Sequence, residues 1–478
     1  MKNIDELLEK VSYDANRIKI DSRGVNKGDI FIALKGTAID GRLFVDDAIK
    51  AGAERVIAER GPGGVTAQER IIEVDNAQQA FTYVNKRIFE KRASSLSIFG
   101  ITGTNGKTTT VFMIYDILRR SGIDCGLLGT VCNITGKGKI SPSALTTPGG
   151  DELNRYLQEI SANGCKYTAM ELSSHALEQG RASGISVRSA VFTNITPEHL
   201  DYHHNMKEYL KSKSKIFELV ADGGHTAINI DDAMIATLKQ DKRIKGLVTF
   251  SIENEADVTA RDIKLSRDGS EFLISSRDFG EIDIRTDLVG RHNVYNSLSA
   301  ASALLYSGIP PLVIKKGLES GIKVPGRLEK IRSGKDFDVY VDYAHTPNAL
   351  LNVLECLKGF ASGQLICVFG CGGNRDKEKR PVMGKIATDI ADRVIVTDDN
   401  PRREKSDDIV KDIEKGICGK DNYCIIRPRE EAIAHAVRTA APGDVIIIAG
   451  KGHEDYQIIG DTKFDFSDIE TVNRLLQN

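Results

Sequence analysis

Three features that mark common non-enzymatic classes are missing from the sequence. Its 65 lysines and arginines nearly balance 67 aspartates and glutamates, so no excess of positive charge favours a nucleic-acid partner. The longest apolar stretches, such as residues 445–450, are far too short to span a bilayer, and the N-terminal residues do not resemble a signal peptide. The eight cysteines form no CxxC pair, which favours reduced thiols over disulfides or a zinc site. We therefore expect a cytoplasmic protein without membrane insertion or nucleic-acid binding.

The length and the pattern of the chain predict three domains. A chain of 478 residues can build three separate cores, and turn signals divide residues 1–94 into short strands and helices. Strand and helix patterns alternate in 95–325 and again in 326–478, and a Pro-Gly break separates these two parts. We predict an α/β fold with an N-terminal domain (1–94), a central P-loop domain with a parallel or mixed sheet (95–325) and a C-terminal Rossmann-like domain (326–478).

Residues 100–110, GITGTNGKTTT, are the most informative segment of the chain. An apolar strand precedes them, and apolar residues at helical spacing follow. Strand, glycine-rich turn and helix N-terminus together form a phosphate cradle, in which backbone N–H groups, the helix dipole and the Lys107 ammonium favour an anion. The usual P-loop has a glycine where this chain has Ile101, but the flanking strand and helix support the same interpretation. The residues predicted to bind a nucleoside triphosphate are Gly103, Thr104, Asn105, Gly106, Lys107, Thr108 and Thr109.

Two residues are candidate ligands for Mg²⁺. The hydroxyl of Thr108 is placed to touch an ion held by the nucleotide, and Glu171 follows an apolar strand where P-loop enzymes place an acidic ligand. After another strand, residues 194–203 (NITPEHLDYH) bring several ionisable groups into one short loop, and His199 is the candidate that faces a ligand there. The alternative for this loop is a solvated helix cap at residues 196–198.

Many short motifs occur in an order that resembles the Mur ligases. They include ITGTNGKTTT, ELSSHALEQGR, NITPEHLDYH, YLKSK, GRHNVYNSLSAA, VPGRLE, VDYAHTPNAL, DDNPR and GKGHEDYQ. The sequence is most similar to the members that add the third residue of the peptidoglycan stem peptide to UDP-N-acetylmuramoyl-L-alanyl-D-glutamate. The resemblance runs from residue 21 to the C-terminus and implies UDP-binding, ATP-binding and amino-acid-binding domains in that order. We expect the protein to be a monomer.

The resemblance also implies a reaction with ATP and Mg²⁺. The γ-phosphate of ATP is transferred to the D-glutamate side-chain carboxylate, and the amino group of the incoming amino acid attacks the acyl phosphate. A lysine in motifs like YLKSK is carbamylated in this family, and the family spacing places it at Lys213, as a metal ligand beside Thr108 and Glu171. From the residues alone, an exposed lysine would be favoured. The implied catalytic residues are Lys107, Glu171, Lys213 and His199, and Asn293 is implied to bind ATP.

Two further sets of residues match substrate-binding positions of the family. Those matching the UDP-dipeptide site are Ser22, Thr146, Thr147, Ser173, Gln179 and Arg181. Those matching the amino-acid site are Arg375, Asp399, Asn400, Pro401, Arg402, Gly450 and Glu454. One departure from the family pattern is Leu145, where some relatives carry an asparagine whose amide contacts the substrate.

The DNPR motif indicates which amino acid is added. A guanidinium binds the distal carboxylate of meso-diaminopimelate bidentately, and lysine would leave that guanidinium unpaired. Family members with DNPR at this place generally add diaminopimelate, so we expect this substrate. The alternatives are the same reaction with L-lysine, another amide ligase such as folylpolyglutamate synthetase, and an ATP-gated binding protein that has lost catalysis.

We predict that Lys107→Ala abolishes ATP-dependent ligation and leaves the fold intact. Lys107 is a charged residue in a loop, so its loss should remove transition-state stabilisation rather than core packing. Turnover and circular dichroism of the variant check this prediction. Near-normal turnover would show that the phosphate-loop assignment is wrong.

Overall fold

The computed structural model describes residues 2–36, 39–60 and 68–477. Three sheets follow one another along the chain, and a two-stranded hairpin lies near the C-terminus. Among the described residues, no helix is both long enough and apolar enough to cross a membrane.

The first sheet has four parallel strands in the order β1-β2-β3-β4. Its strands are β1 (Ile18–Lys19), β2 (Ile30–Ile32), β3 (Arg55–Glu59) and β4 (Ile71–Val74). The helices of this region are α1 (Lys2–Lys10), α2 (Val45–Lys50) and α3 (Ala77–Arg92). The Asn76 side chain caps α3 by accepting a hydrogen bond from Gln79 N, and Phe81, Val84 and Ile88 face the core at helical spacing.

The central sheet has eleven strands in the order β15-β14-β13-β12-β11-β10-β5-β9-β6-β7-β8. The strands from β13 to β6 in this order run parallel, and antiparallel strands flank them at both edges. The strands are β5 (Ser97–Thr102), β6 (Cys125–Leu128), β7 (Cys132–Ile134), β8 (Ile140–Pro142), β9 (Tyr167–Glu171), β10 (Val187–Phe192), β11 (Val220–Asn229), β12 (Leu247–Ser251), β13 (Val258–Ser266), β14 (Gly269–Ser276) and β15 (Gly280–Thr286). Because β5 lies between two parallel neighbours, the loop at its carboxyl end opens in the middle of the sheet edge.

Helices cover both faces of the central sheet. They are α4 (Lys107–Arg120), α5 (Gly150–Ala162), α6 (Ser174–Glu178), α7 (Leu200–His203), α8 (Met206–Ser214), α9 (Ala233–Ala236), α10 (Arg291–Leu305) and α11 (Pro311–Leu318). The two helices α10 and α11 pack against α4. A Cβ at Gly317 would lie 2.6 Å from Cα of Ile117, so the close approach of α11 to α4 requires glycine there. This packing buries α4 and holds its N-terminus at the carboxyl end of β5.

The third sheet has six strands in the order β16-β17-β21-β18-β19-β20, all parallel except β16. Its strands are β16 (Glu329–Ile331), β17 (Asp338–Asp342), β18 (Leu365–Phe369), β19 (Arg393–Val396), β20 (Tyr423–Ile425) and β21 (Val445–Ala449), and the hairpin is β22 (Tyr456–Ile459) with β23 (Thr462–Asp465). The helices are α12 (Pro347–Lys358), α13 (Lys379–Ile390), α14 (Ser406–Glu414), α15 (Arg429–Thr439) and α16 (Asp468–Gln477). Since β18, β19 and β21 are parallel, the loops that follow them meet at one edge.

The predicted α/β class, with a parallel-rich central sheet and a second open α/β sheet, is confirmed. One local expectation is wrong. Residues 196–198 do not cap a helix, because α7 begins only at Leu200, after His199 in the left-handed region. Thr196 is instead tied to the phosphate loop, where its N–H donates to Thr104 Oγ1 at 3.0 Å.

We predict that Asp468→Ala destabilises the protein by about 3–5 kcal/mol, because it leaves a buried guanidinium unpaired. Arg429 donates Nε and Nη2 to the two carboxylate oxygens of Asp468 at 2.7 and 2.8 Å, and neither side chain is exposed. Chemical denaturation followed by circular dichroism measures the change. The matched control is Lys420→Ala, which breaks an exposed ion pair with Asp389 and should cost less than about 1 kcal/mol. Equal shifts for the two variants would contradict the prediction.

Candidate active site

The glycine-rich loop between β5 and α4 has the conformation of a phosphate cradle. Gly103 and Gly106 have φ values of 145° and 84°, which side-chain-bearing residues rarely adopt. A Cβ at Gly106 would lie 2.3 Å from Oδ1 of Asn296, so the loop also has no room for a side chain. Thr108 and Thr109 follow in the first turn of α4, where backbone N–H groups lack helical partners. The loop therefore presents a helix N-terminus to an anion.

Two of the loop amides are already occupied by the protein. Thr104 N donates to the backbone carbonyl of Asn194 at 2.9 Å, and Asn105 N donates to the Asn194 side-chain oxygen at 2.8 Å. Asn194 was not among the predicted site residues, although its position as a polar residue just after a strand could have indicated a role near the phosphate loop. These contacts hold the loop rigid and leave its later residues, from Gly106 onward, to face a ligand.

Lys107 folds back over the loop. Its Nζ donates to the carbonyl oxygens of Gly103 and Thr104 at 2.9 and 2.7 Å. Burial lowers the pKa of Lys107, and the charges of Glu198 and Glu171 oppose that shift. The ammonium is thus held at the centre of the loop, close to where a phosphate would bind.

Thr108 and Glu171, the predicted metal ligands, lie in contact. Thr108 Oγ1 donates to Glu171 Oε2 at 3.1 Å, and Glu171 is buried at the end of β9. Thr130 donates its N–H and its hydroxyl to the same carboxylate at 2.8 and 3.0 Å. From the third sheet region, Arg327 Nη2 reaches Thr108 Oγ1 at 3.1 Å. Thr130 and Arg327 were not among the predicted site residues, although Arg327 stands in the VPGRLE motif.

Lys213 lies on α8 and is only 1% exposed, so the expectation of an exposed lysine from the residues alone is wrong. Its Nζ donates to Gly103 O at 2.7 Å and lies 4.6 Å from the ring centroid of Tyr209. Burial and the charge of Lys107 lower the pKa of Lys213 well below its usual value. The ring of Tyr209 forms one wall of this pocket, and its hydroxyl lies 3.3 Å from Thr104 Oγ1.

His199 is exposed beside this cluster. Its Nε2 is 3.8 Å from Glu198 Oε1, and its ring centroid is 4.7 Å from that of His175. Partial desolvation by the surrounding protein is the largest cause of its lowered pKa, and the charges of Lys107 and Lys213 add to it. His199 therefore faces the same space as the two lysines.

A cleft of about 1160 Å³ separates the first sheet region from the central one. Three residues of the predicted UDP-dipeptide set line it: Ser22, Gln179 and Arg181. The remaining three, Thr146, Thr147 and Ser173, lie closer to Glu171. Thr147 Oγ1 donates to the Glu171 carbonyl at 2.8 Å and accepts from Ser173 N at 3.0 Å, and Thr146 Oγ1 lies 3.1 Å from Thr130 Oγ1. The six residues thus extend from the cleft toward the phosphate loop.

Arg181 connects the two halves of this set. Its Nη1 donates to the Thr147 carbonyl at 3.3 Å, and its Nε and Nη2 donate to Gln179 Oε1 at 2.9 and 2.6 Å. Leu145, which departs from the family pattern, is exposed.

A second cleft, of about 790 Å³, lies on the other side of the phosphate loop. Asn293 lines it with Asn296, His292, Asp342 and residues of the loop itself. Asn296 donates to Asn293 Oδ1 at 3.0 Å, which fixes the orientation of both amides. On α12, Asn348 also lines this cleft, and Asn105 Nδ2 donates to its Oδ1 at 3.2 Å. This cleft can hold the base and ribose of a nucleotide whose phosphates lie on the loop.

The loops after β18, β19 and β21 bring the predicted amino-acid site together. Asn400 donates to Glu454 Oε2 at 2.9 Å and accepts from Lys451 at 3.3 Å, and Lys451 donates to Glu454 at 3.0 Å. A Cβ at Gly450 would lie 2.9 Å from Oδ2 of Asp399, so these two residues are neighbours. Pro401 follows them directly and is buried.

The side chains of two arginines lie close to Gly372 in this site. A Cβ at Gly372 would lie 2.9 Å from Nη1 of Arg402 and 3.8 Å from Cγ of Arg375. Arg402 donates to the backbone carbonyl of Gly373 at 2.9 Å, and Arg375 is exposed. Among the described residues, neither arginine forms an ion pair with a carboxylate. The site therefore offers two cations to an anionic ligand.

Comparisons with known proteins agree along the whole chain. Three family models match: "Mur ligase family, catalytic domain" at residues 15–88, "Mur ligase middle domain" at 101–304 and "Mur ligase, glutamate ligase domain" at 326–452. A protein of Clostridium perfringens named UDP-N-acetylmuramoyl-L-alanyl-D-glutamate--2,6-diaminopimelate ligase is 41% identical over 468 residues, which are 96% of this chain and 94% of that protein. A protein of the same name from Caldanaerobacter subterraneus is 39% identical over 98% of this chain and 96% of its own length. A solved structure with that name superposes with a TM-score of 0.70 and 33% identity over 97% of this chain and 94% of its own.

Proposed function

The chain belongs to the Mur ligase family, and on this basis we propose that it is a cytoplasmic ATP-dependent ligase that adds meso-diaminopimelate to the D-glutamate of UDP-N-acetylmuramoyl-L-alanyl-D-glutamate. The observation that carries the choice of amino acid is the pair of arginines, Arg375 and Arg402, which lie near Gly372 without a carboxylate partner among the described residues, in the same group of loops as Glu454. Diaminopimelate has a carboxylate and an ammonium at its distal end, and these side chains complement both charges. Residues 1–94 would bind the UDP part, 95–325 the ATP and 326–478 the amino acid.

The two clefts support this reaction, because one is lined by phosphate-loop residues and the other by residues of the predicted UDP-dipeptide set. ATP would place its base in the 790 Å³ cleft and its phosphates on the loop, and the UDP-dipeptide would extend along the 1160 Å³ cleft toward Thr147 and Glu171. The D-glutamate carboxylate would then meet the γ-phosphate near Lys107, and transfer gives an acyl phosphate and ADP. The amino group of diaminopimelate attacks that acyl carbon, an amide forms and phosphate leaves.

The side chains around Thr108 fit a magnesium ion. Thr108 supplies a hydroxyl oxygen and Glu171 a carboxylate oxygen, which are the hard ligands that Mg²⁺ prefers. When bound, the ion would neutralise charge on the phosphates during transfer. Thr130 holds the Glu171 carboxylate in place, and Arg327 brings a further positive charge to Thr108.

The surroundings of Lys213 support its carbamylation. The side chain is buried, lies against an aromatic ring and competes with Lys107 for one carbonyl oxygen, so its charged form is disfavoured. A neutral amine can attack CO₂; the new N–C bond forms as the nitrogen loses a proton. The product is a carboxylate that would add an acidic metal ligand and pair with the Lys107 ammonium.

We predict that Lys213→Ala is severely impaired in ligation and that acetate partly restores its activity by filling the vacated carboxylate position. Ligation rates with and without acetate measure this. The matched control is Lys211→Ala, since Lys211 lies on the same helix with its side chain 69% exposed, and it should keep normal activity. An unmodified Lys213 in a crystal structure with substrates bound would contradict the proposal.

We predict that Arg402→Ala raises the KM for diaminopimelate far more than the KM for ATP or the UDP-dipeptide. Loss of a bidentate charge-assisted pair is worth about 2–4 kcal/mol, or a thirtyfold to thousandfold fall in kcat/KM. The variant should also discriminate less between diaminopimelate and lysine. Steady-state kinetics with each amino acid measures both effects.

The matched control for this experiment is Arg403→Ala. Arg403 is the next residue, but its side chain is exposed and pairs with Asp461, so its loss should leave both amino-acid constants nearly unchanged. Wild-type preference for L-lysine, or an unchanged preference in Arg402→Ala, would contradict the diaminopimelate assignment and leave the ligase assignment standing.

A further inference from the structure

We propose that Glu404, anchored by the buried Arg380, is a positioning residue that sets the spacing of Arg375 and Arg402 and so selects the amino acid by its distal carboxylate. This inference rests on the function proposed above. Neither Glu404 nor Arg380 belongs to the motif positions expected to contact a substrate. Their role would be to hold together two loops, residues 370–378 after β18 and residues 397–405 after β19.

Arg380 is a fully buried cation at the start of α13. Its Nη1 donates to Glu404 Oε2 and to Asp412 Oδ2, both at 3.0 Å. Its Nη2 donates to Glu404 Oε1 at 3.1 Å and to the Gly372 carbonyl at 3.2 Å. The Arg380 guanidinium therefore binds both a carboxylate of the second loop and a carbonyl of the first loop. A buried charge with such partners has a single stable placement, because any other placement would leave it unpaired.

Further hydrogen bonds join the same two loops. The carboxylate of Glu404 accepts from Asn374 N, and Asn374 Oδ1 accepts from Arg403 N at 3.0 Å. Gly373 N donates to Asn400 O at 2.9 Å, and Arg402 Nη1 donates to Gly373 O at 2.9 Å. The first loop is thus attached to the second at Gly373 and Asn374, directly after Gly372. Arg380 and Glu404 form the only buried ionic part of this attachment among the described residues of the two loops.

Holding the two loops together strains the backbone, so the attachment needs a strong stabilising contact. Asn374 and Arg402 both have φ of 52°, a conformation that residues with side chains rarely adopt. Arg375 and Arg402 both lie near Gly372, and their like charges repel each other. The Arg380 hydrogen bonds hold the pKa of Glu404 at about 2, so this carboxylate is ionised at any physiological pH and the anchor persists.

Selection of the amino acid depends on this fixed spacing. Arg375 is exposed, and its contact with a substrate carboxylate requires that its backbone be held at one distance from Arg402. Misplacement by about an ångström is enough to lose most of a bidentate contact. Lysine has no distal carboxylate, so its binding should be insensitive to the spacing.

The experiment compares Glu404→Gln with Asp412→Asn. Both carboxylates accept from the same nitrogen of Arg380 at 3.0 Å, but only Glu404 reaches Asn374 in the first loop. Glu404→Gln should raise the KM for diaminopimelate about tenfold to hundredfold, with the constants for ATP and the UDP-dipeptide changed less than about twofold. Asp412→Asn should change none of them by more than about twofold. Equal effects of the two variants would overturn the inference.

Two further measurements separate positioning from loss of folding. In an Arg402→Ala background, Glu404→Gln should add less than about twofold to the KM for diaminopimelate, because only Arg375 then remains and there is no spacing between two arginines left to set; full additivity would overturn the inference. Asn374→Gly removes the acceptor for Arg403 N and tolerates the left-handed backbone, so it should raise the same KM by several-fold even if Glu404→Gln does not fold. An unchanged KM in Asn374→Gly would contradict the proposed attachment.

The outcomes also distinguish this inference from the proposed function. If the wild-type enzyme does not ligate diaminopimelate, the proposed function fails before any variant is compared. If it does ligate diaminopimelate and Glu404→Gln keeps the wild-type KM, the function stands and only the positioning role is overturned.

Discussion

The carbonyl oxygen of Gly103 accepts hydrogen bonds from the ammonium groups of Lys107 and Lys213, and the proposed chemistry is arranged around this contact. Two like charges at one carbonyl are unstable without a nearby anion, and the Glu198 carboxylate is the charge that favours both ammonium forms. A phosphate on the loop would supply a second anion. Carbamylation of Lys213 would convert the repulsion between the two lysines into an attraction. The phosphate loop therefore needs bound ligands to balance the charges around it.

Hydrogen bonds also join the central and third sheet regions at the phosphate loop. The phosphate loop lies at the edge of the central sheet, but Arg327 and Asn348 from the third sheet region reach Thr108 and Asn105. These two hydrogen bonds cross from one region to the other directly at the predicted nucleotide site. Occupation of that site would thus be felt by the region that is proposed to hold the amino acid.

The proposed amino-acid site uses charge in the opposite way. The cations Arg375 and Arg402 are left without ion-pair partners among the described residues, whereas the buried Arg380 pairs with the carboxylates of Glu404 and Asp412. The paired group gives a rigid base, and the unpaired groups give affinity for an anion. Lys451 and Glu454 form a neutral pair beside them, which can accept a zwitterionic end group.

The sequence by itself determined the α/β class, the phosphate loop and the family, because these depend on local spacing. A glycine-rich turn between a strand and a helix binds phosphate through its own backbone. The DNPR motif itself contains the arginine that is expected to bind the substrate. The tertiary structure alone decided that Lys213 is buried, that the amides of Thr104 and Asn105 are occupied by Asn194, and that Arg380 joins two loops through Glu404. Each of these depends on segments far apart in the chain that pack side by side. Burial and long-range hydrogen bonds result from that packing, so they cannot be predicted from residue spacing along the chain.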